Sequence, residues 1–140
     1  MDIKLASLAL LAASLLASCA SSSATATSAA IPPSKGRVLF YRENGIFGYA
    51  QRAQILLDGQ KVGRSAPGAK FQVDVEPGTH RVTIPNIMYP GKNEQDVPVR
   101  AAETVYVKTS IGGSAYAGRT NIEIVPPAQG ALESAKLKGN

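Results

Sequence analysis

The sequence predicts an all-β protein: an antiparallel β-sandwich of about seven strands with a short C-terminal helix, preceded by a signal peptide and a flexible linker. From Gly36 onward, short runs rich in β-branched and aromatic residues recur between Gly, Pro, Asn and Asp turns. Several runs alternate apolar and polar residues, which indicates sheets with one buried face. No predicted helix is long enough to connect parallel strands, so we expect two antiparallel sheets packed face to face.

The first strand, at residues 37–42, is apolar on both faces and is therefore expected at the centre of a sheet. Pro98 removes a backbone donor from the strand that contains it, so that strand is expected at a sheet edge. The strand with Pro98 is expected at residues 95–101, and the remaining strands are expected at residues 53–58, 70–75, 79–84, 104–111 and 121–125. Residues 130–137 contain good helix formers and are expected to make one or two helical turns.

The first 18 residues have the features of a secretory signal rather than of a folded segment. Lys4 supplies a positive charge, and the apolar stretch that follows is shorter than the roughly 20 residues that a membrane-spanning helix needs. The stretch ends in four residues that resemble the bacterial lipobox: Leu16, Ala17, Ser18 and Cys19.

The lipobox resemblance implies that the Cys19 thiol carries a diacylglycerol group and that the signal is cleaved between Ser18 and Cys19. It also implies the outer membrane, facing the periplasm, because Ala20 rather than Asp follows the cysteine. Two alternatives stay open. An ordinary signal peptidase could cut after Ala20 or Ala26 and remove Cys19, or Cys19 could be an incidental small apolar residue.

The chain accordingly divides into three parts. Residues 1–18 are the lipoprotein signal peptide, residues 19–35 are the lipidated cysteine and a linker rich in Ser, Ala, Thr and Pro, and residues 36–140 are the β-sandwich domain. The linker composition cannot bury a core. A flexible chain of this length has a root-mean-square reach of roughly 20–25 Å.

Four short motifs occur in a characteristic order after the lipobox: a first strand at residues 38–42, turns at residues 57–63 and 75–80, and a strand entry at residues 102–107. Together they resemble a family of small bacterial lipoproteins of unknown function, domain-of-unknown-function family 2846. Similar turns occur in PEGA-like, carbohydrate-binding-like sandwiches. The resemblance implies a sandwich fold and a cell-envelope location, and it carries over no catalytic residue. Glu103 departs from the pattern, since the family commonly has Gly there.

The charge distribution does not favour nucleic-acid binding. The sequence has 15 Lys and Arg against 10 Asp and Glu, but the basic residues are scattered singly and form no dense run. A mildly basic solvated surface accounts for this pattern. The alternative is attraction to anionic lipid or cell-wall polymer, which such a charge would steer without specifying it.

The residues available for chemistry predict a protein that is not an enzyme and that has no metal site and no cofactor. With one histidine and one cysteine, the sequence offers neither a usual nucleophile and base pair nor a zinc cluster. His80 is expected to be half-buried at a sheet end and hydrogen-bonded near a turn. The glycine-rich residues 111–118 lack the Lys and Ser/Thr of a phosphate loop and are expected to form a mobile loop.

Four tyrosines form a possible binding surface. Tyr49, Tyr89 and Tyr116 fall in predicted loops, and Tyr106 projects from the polar face of its strand. The leading hypothesis is a non-enzymatic binding or assembly module for an unknown envelope protein, and the alternative is a module that binds cell-wall polysaccharide. Convergence of the loop tyrosines at one end favours the second, whereas an exposed apolar patch or an open edge strand favours the first.

Overall fold

The computed structural model describes residues 29–46, 48–85, 93–114 and 117–139, which form nine strands and one helix. The predicted signal peptide and Cys19 lie outside the described residues. The strands are β1 (Gly36–Tyr41), β2 (Ala53–Leu57), β3 (Gln60–Ser65), β4 (Ala69–Val75), β5 (Gly78–Thr83), β6 (Glu94–Val99), β7 (Thr104–Ser114), β8 (Ala117–Val125) and β9 (Lys138–Gly139), and the helix is α1 (Pro127–Ala135).

The described strands make a five-stranded sheet in the order β8-β7-β1-β4-β9 and a four-stranded sheet in the order β3-β2-β5-β6. The predicted fold class, a two-sheet β-sandwich with a short C-terminal helix, is therefore confirmed. As predicted, β1 is central in its sheet, and β6, which contains Pro98, is an edge strand.

Two strand pairs differ from the antiparallel expectation. β1 pairs parallel with β7, and β4 pairs parallel with β9, while the other pairs are antiparallel. Apolar alternation indicates which face of a strand is buried but not the direction of its neighbour, so the sequence pattern did not reveal these pairs.

The glycine-rich residues 111–118 were predicted to form a mobile loop, but the described ones, 111–114 and 117–118, lie in strands. β7 runs to Ser114 and β8 starts at Ala117, and their ladder continues through the pair Gly112 and Arg119. Glycine weakens strand propensity, but ladder hydrogen bonds to a partner strand outweigh that local preference.

The core lies between the two sheets and is built from alternate residues of the strands. Val38 and Phe40 of β1 are completely buried, and the Phe40 ring stacks on Phe71 of β4 with 5.0 Å between ring centroids. The other buried core residues come from β2, β4, β5, β6, β7, β8 and the residue after β5: Ile55, Leu57, Val75, Val82, Ile84, Val97, Val99, Val105, Val107 and Ile122.

Helix α1 covers the outer face of the five-stranded sheet. It begins at Pro127, earlier than the predicted residue 130, because proline is well tolerated in the first turn of a helix. Gly130 is buried against the ring of Tyr106 on β7, so closely that a β-carbon at position 130 would overlap that ring. The missing side chain therefore sets how closely the helix approaches the sheet.

A polar network holds α1 in place. Glu133 of α1 accepts hydrogen bonds from the Tyr41 hydroxyl at 2.7 Å and from the Lys108 ammonium at 2.9 Å. Lys108 also pairs with Glu43 at 2.6 Å. The hydrogen bonds from Tyr41, Gln129 and Lys108 lower the pKa of Glu133 to about 2. Its carboxylate therefore stays ionised and keeps the helix bound to β1 and β7.

The two ends of the sandwich differ in the chain segments that pack there. At the end where β1 begins, which we call the tether end, Gly36 packs against Val99 of β6. The buried Arg37 donates there to the carbonyl of Ala29 at 2.6 Å and to both carboxylate oxygens of Asp74 at 2.6 and 3.0 Å. The last linker residues are thus held beside the start of β1. The opposite end, where β1 finishes, is called the loop end.

The substitution Gly130→Ala tests the close approach of α1, because helix propensity predicts a gain in the free energy of unfolding and packing predicts a loss. Gly130→Ala would stabilise an exposed helix by about 1 kcal/mol. Here we expect a loss of about 1–3 kcal/mol in the free energy of unfolding, because the new methyl group overlaps the Tyr106 ring. Urea unfolding measures the change. Leu132→Ala, at an exposed position of the same helix, is the control and should shift stability far less; a Gly130→Ala variant more stable than the native protein would contradict the packing.

Candidate functional site

The segment between β1 and β2, residues 42–52, forms a loop that is held from beneath by one buried arginine. Arg42 is 4% exposed, and its Nη1 donates to the carbonyl oxygens of Gln51 at 2.9 Å and Ser65 at 3.2 Å. Its Nη2 donates to the carbonyl oxygen of Gly48 at 2.8 Å. Burial lowers the pKa of Arg42, but a guanidinium keeps its proton in proteins. The charged group therefore fixes the loop backbone at two points and ties it to β3.

Gly48 brings the same loop against β7. Its φ of +67° is a conformation that favours glycine, and an added β-carbon would lie 2.9 Å from Cβ and Cγ2 of Ile111. Because the loop packs this closely on Ile111 and is bound by Arg42, its path is set by the body of the protein.

The loop directs two large apolar side chains into solvent. Ile46 is 91% exposed and Tyr49 is 74% exposed. With Asn44 and Gly45 they line an open depression at the loop end of the sandwich. An exposed isoleucine beside an exposed tyrosine on a fixed loop is typical of a surface that becomes covered by a partner. We call Asn44, Gly45, Ile46 and Tyr49 the loop patch.

The other predicted tyrosines divide into two groups. Tyr106 is half-buried beneath α1, where it packs against Gly130. Tyr89 and Tyr116 lie outside the described residues.

Two strands precede the undescribed tyrosines in the chain, β5 before Tyr89 and β7 before Tyr116, and both end at the loop end. β7 is parallel to β1 and therefore runs toward it. β5 is antiparallel to β2, with Thr83 opposite Leu56, so it runs toward the start of β2 at the same end. The structure describes two of the four tyrosines, Tyr49 and Tyr106. Of these two, Tyr49 is the exposed one, and it lies at the loop end.

The described residues that line the loop patch give it a largely apolar surface. Its side chains are apolar or neutral, and Arg42 beneath them is engaged with backbone carbonyls. In the described part of the chain, no group of three or more His, Cys, Asp or Glu side chains could hold a metal ion.

Sequence reasoning missed Ile46 and Arg42. Isoleucine is ordinarily a core residue, and the strand that ends at residue 42 gave no reason to place a charged group in the interior. The available signal was the sequence from Asn44 to Tyr49, in which glycines at positions 45 and 48 enclose apolar residues where no strand or helix is predicted.

A second polar cluster lies toward the tether end, around the single histidine. His80 Nδ1 is 2.6 Å from Oδ2 of Asp58, and its Nε2 is 2.7 Å from the carbonyl oxygen of Glu76. The other carboxylate oxygen of Asp58 accepts the backbone N–H of Arg81 at 2.8 Å. The expectation of a half-buried histidine hydrogen-bonded near a turn is confirmed. The cluster fastens the turn between β2 and β3 to strand β5.

The Asp58 carboxylate and the Glu76 carbonyl oxygen each accept a hydrogen bond from one nitrogen of the His80 ring. Both ring nitrogens can donate at once only when the imidazole is cationic. Burial lowers the pKa of His80, but the hydrogen bonds to Asp58 and Glu76 outweigh burial and raise that pKa overall. The hydrogen bond from His80 in turn lowers the pKa of Asp58. The cluster is therefore most stable when His80 is protonated and Asp58 is ionised.

This linkage predicts a specific dependence of stability on pH. The His80 contribution is fully present below the ordinary histidine pKa of about 6.5 and is lost as pH rises through the raised pKa of the folded state. The Asp58 contribution is lost as pH falls through the lowered pKa of that carboxyl. Urea unfolding from about pH 5 to pH 9 should show the alkaline decline.

The control for the pH experiment is His80→Gln, which removes the titrating group. Because the sequence has one histidine, this variant should lose the decline between weakly acidic and weakly alkaline pH. A His80→Gln protein that keeps the native slope would show that the cluster does not titrate as described.

The structure is a small β-sandwich with the loop patch at one end and the residues that precede β1 at the other. The chain belongs to the family described as Protein of unknown function (DUF2846), whose sequence model matches residues 32–120. The predicted family resemblance is confirmed, and the match runs from just before β1 to the fourth residue of β8. No curated protein and no solved structure matches the chain. Within the described residues, no helix is long and apolar enough to cross a membrane.

Proposed function

We propose that this protein is a lipid-anchored module of the cell envelope that binds a partner protein, without catalysis, through the loop patch. The observation that carries the proposal is the exposure of Ile46 and Tyr49 on a loop that the buried Arg42 holds in place. The domain is tethered through Cys19 to the outer membrane and faces the periplasm, as the residues around Cys19 predict.

The position of the linker supports the tether. Ala29 is bound to Arg37 at the tether end and lies ten positions after Cys19 in the chain. Ten extended residues span at most roughly 33–36 Å, so a lipid on Cys19 would keep the tether end within that distance of the membrane. Two or three acyl chains hold a protein essentially permanently, and the loop patch, at the other end, is then free to bind a partner.

The energetics of the loop patch favour an apolar partner surface. Covering a fully exposed isoleucine contributes about 1.5–3 kcal/mol, and tyrosine adds a large ring with a polar tip. Arg42 and Gly48 already fix the loop backbone, so binding requires little further ordering of the chain.

Binding of cell-wall polysaccharide is the second candidate, and the exposed ring of Tyr49 is the observation that favours it. Sugar rings stack on aromatic side chains, and the net charge of +5 would attract an anionic polymer. Ile46, however, offers neither an aromatic face nor a hydrogen bond, and it is the more exposed of the two side chains. A protein surface therefore fits the loop patch better than a glycan does.

Metabolic labelling with an alkyne analogue of palmitate tests the anchor. The native protein should take up the label, and Cys19→Ser should lose it, because only the cysteine thiol forms the thioether. Ser18→Ala, which keeps a small residue before the cysteine, is the matched control and should still be labelled. Absence of label from the native protein, or its retention in Cys19→Ser, would contradict lipidation at this residue.

Photo-crosslinking in living cells tests the loop patch. A photo-reactive phenylalanine analogue at position 46 should give a discrete protein adduct, and the same analogue at position 132 should not. Leu132 is a suitable control because it is also a large apolar side chain, 70% exposed, and belongs to α1 rather than to the loop patch. Adding Tyr49→Ala should weaken the adduct from position 46 about tenfold, the effect of losing roughly 1.4 kcal/mol of binding free energy.

Two results would contradict the proposed partner. Equal adducts from positions 46 and 132 would mean that the loop patch is not the binding site. No protein adduct, together with co-sedimentation of the full chain with purified cell-wall sacculi at high salt that Tyr49→Ala abolishes, would establish glycan binding instead.

A further inference from the structure

Three basic side chains lie around the loop patch: Arg52, Arg64 and Lys138. We call these three residues the basic rim. All three are exposed, and none of them makes an ion pair in the described structure. They are far apart in the sequence, so the fold alone brings them to the loop end. Four contacts of the backbone place them there.

A tight turn places Arg52 beside Tyr49. The backbone N–H of Gln51 donates to the carbonyl oxygen of Gly48 at 2.9 Å, so the chain turns back directly after Tyr49. Arg42 fixes both ends of this turn, since its Nη1 binds the carbonyl oxygen of Gln51 and its Nη2 binds that of Gly48. Arg52 is the next residue of the chain, so the contacts that hold the loop patch also set its position.

The same buried arginine places Arg64 near Arg52. Nη1 of Arg42 binds the carbonyl oxygens of both Gln51 and Ser65, at 2.9 and 3.2 Å. These two residues are the chain neighbours of Arg52 and Arg64. Within β3, Ser65 is buried and Arg64 is exposed, so the Arg64 side chain lies on the outer side of the strand. Two guanidinium groups from adjacent chain segments therefore border the loop patch on its β2 and β3 side.

Lys138 borders the loop patch from the C-terminal segment of the chain. Its backbone N–H donates to the carbonyl oxygen of Gly68 at 3.2 Å, and it lies opposite Ala69 in the β4 and β9 pair. Gly68 in turn contacts the loop patch, because a β-carbon added to it would overlap the side-chain oxygen of Asn44. Lys138 therefore lies beside the patch on its β4 side.

The described acidic residues near the loop patch do not balance this charge. Glu43, which precedes the patch in the chain, is bound by Lys108 at 2.6 Å. Glu94 begins β6, at the edge of the four-stranded sheet opposite to β3. Among the described residues, the unpaired charge around the patch is therefore positive. The loop patch has an apolar centre with a basic border.

We propose that the partner is a protein whose contact surface has an apolar centre bordered by Asp and Glu carboxylates. This inference rests on the function proposed above and specifies the partner. An apolar centre with a polar rim is the usual arrangement of protein interfaces, whereas an anionic polymer would engage the cations and leave Ile46 uncovered. A guanidinium binds a carboxylate through two parallel hydrogen bonds. Opposite charges at a rim also speed association and exclude basic partners.

Charge reversal in the full chain, with the photo-reactive phenylalanine analogue at position 46, tests the charge of the partner in living cells. Arg52→Glu combined with Arg64→Glu should lower the yield of the protein adduct about fivefold or more, because it places like charges opposite each other. Arg52→Lys combined with Arg64→Lys keeps both positive charges and should keep most of the adduct. Circular dichroism of the purified variants checks that they keep the native sheet content.

The matched control is Lys61→Glu combined with Arg100→Glu, which changes the net charge equally. Both residues are exposed, lie at the tether end and make no ion pair in the described structure. This variant should keep the adduct.

Three results would overturn the acidic partner. Full adduct yield from the folded Arg52→Glu and Arg64→Glu chain, or equal losses in that chain and in the control, would do so while leaving the loop patch as the binding site. Absence of a protein adduct from position 46 in the otherwise native chain would overturn this inference together with the proposed function. If the full chain then sediments with cell-wall sacculi and reversal at positions 52 and 64 abolishes this, the cations bind a glycan.

Discussion

The structure depends on the burial of strand β1, which has neighbours on both edges and cover on both faces. β4 and β7 flank it, Phe40 points into the core, and Tyr41 lies under α1. A buried arginine stands at each end of this strand. A guanidinium remains charged and must have hydrogen-bond acceptors in the interior, so each arginine draws in the backbone that supplies them. Arg37 holds the linker through Ala29, and Arg42 holds the β1–β2 loop through Gly48 and Gln51.

These two contacts lie at opposite ends of the domain. The end that receives the linker is also where His80 and Asp58 fasten the turn between β2 and β3 to β5. At the opposite end Arg42 is bound to backbone carbonyls, and the loop patch exposes Ile46 and Tyr49. The proposed function uses this separation, because a partner could then reach the loop patch without displacing the proposed tether.

Much of the fold could be predicted because local rules and tertiary contacts agree. The apolar β1, the edge position imposed by Pro98 and the half-buried His80 followed from residue type and alternation. The candidate site could be predicted less completely from the sequence. Tyr49 was identified from its loop position, but Ile46 and Arg42 were not, since their exposure and burial are opposite to what their residue types favour. The mobile loop predicted at residues 111–118 was wrong for residues 111–114 and 117–118, because strand pairing outweighed glycine content there.

The sequence alone determined the two-sheet class, the approximate strands and the family, because alternation, turn residues and motif order are local properties of the chain. Only the tertiary structure decided the parallel pairing of β1 with β7, the close approach of α1 at Gly130 and the role of Arg42. Each of these joins residues far apart in the chain. Their free energy comes from packing and from hydrogen bonds satisfied in the interior, and neither can be inferred from one segment at a time.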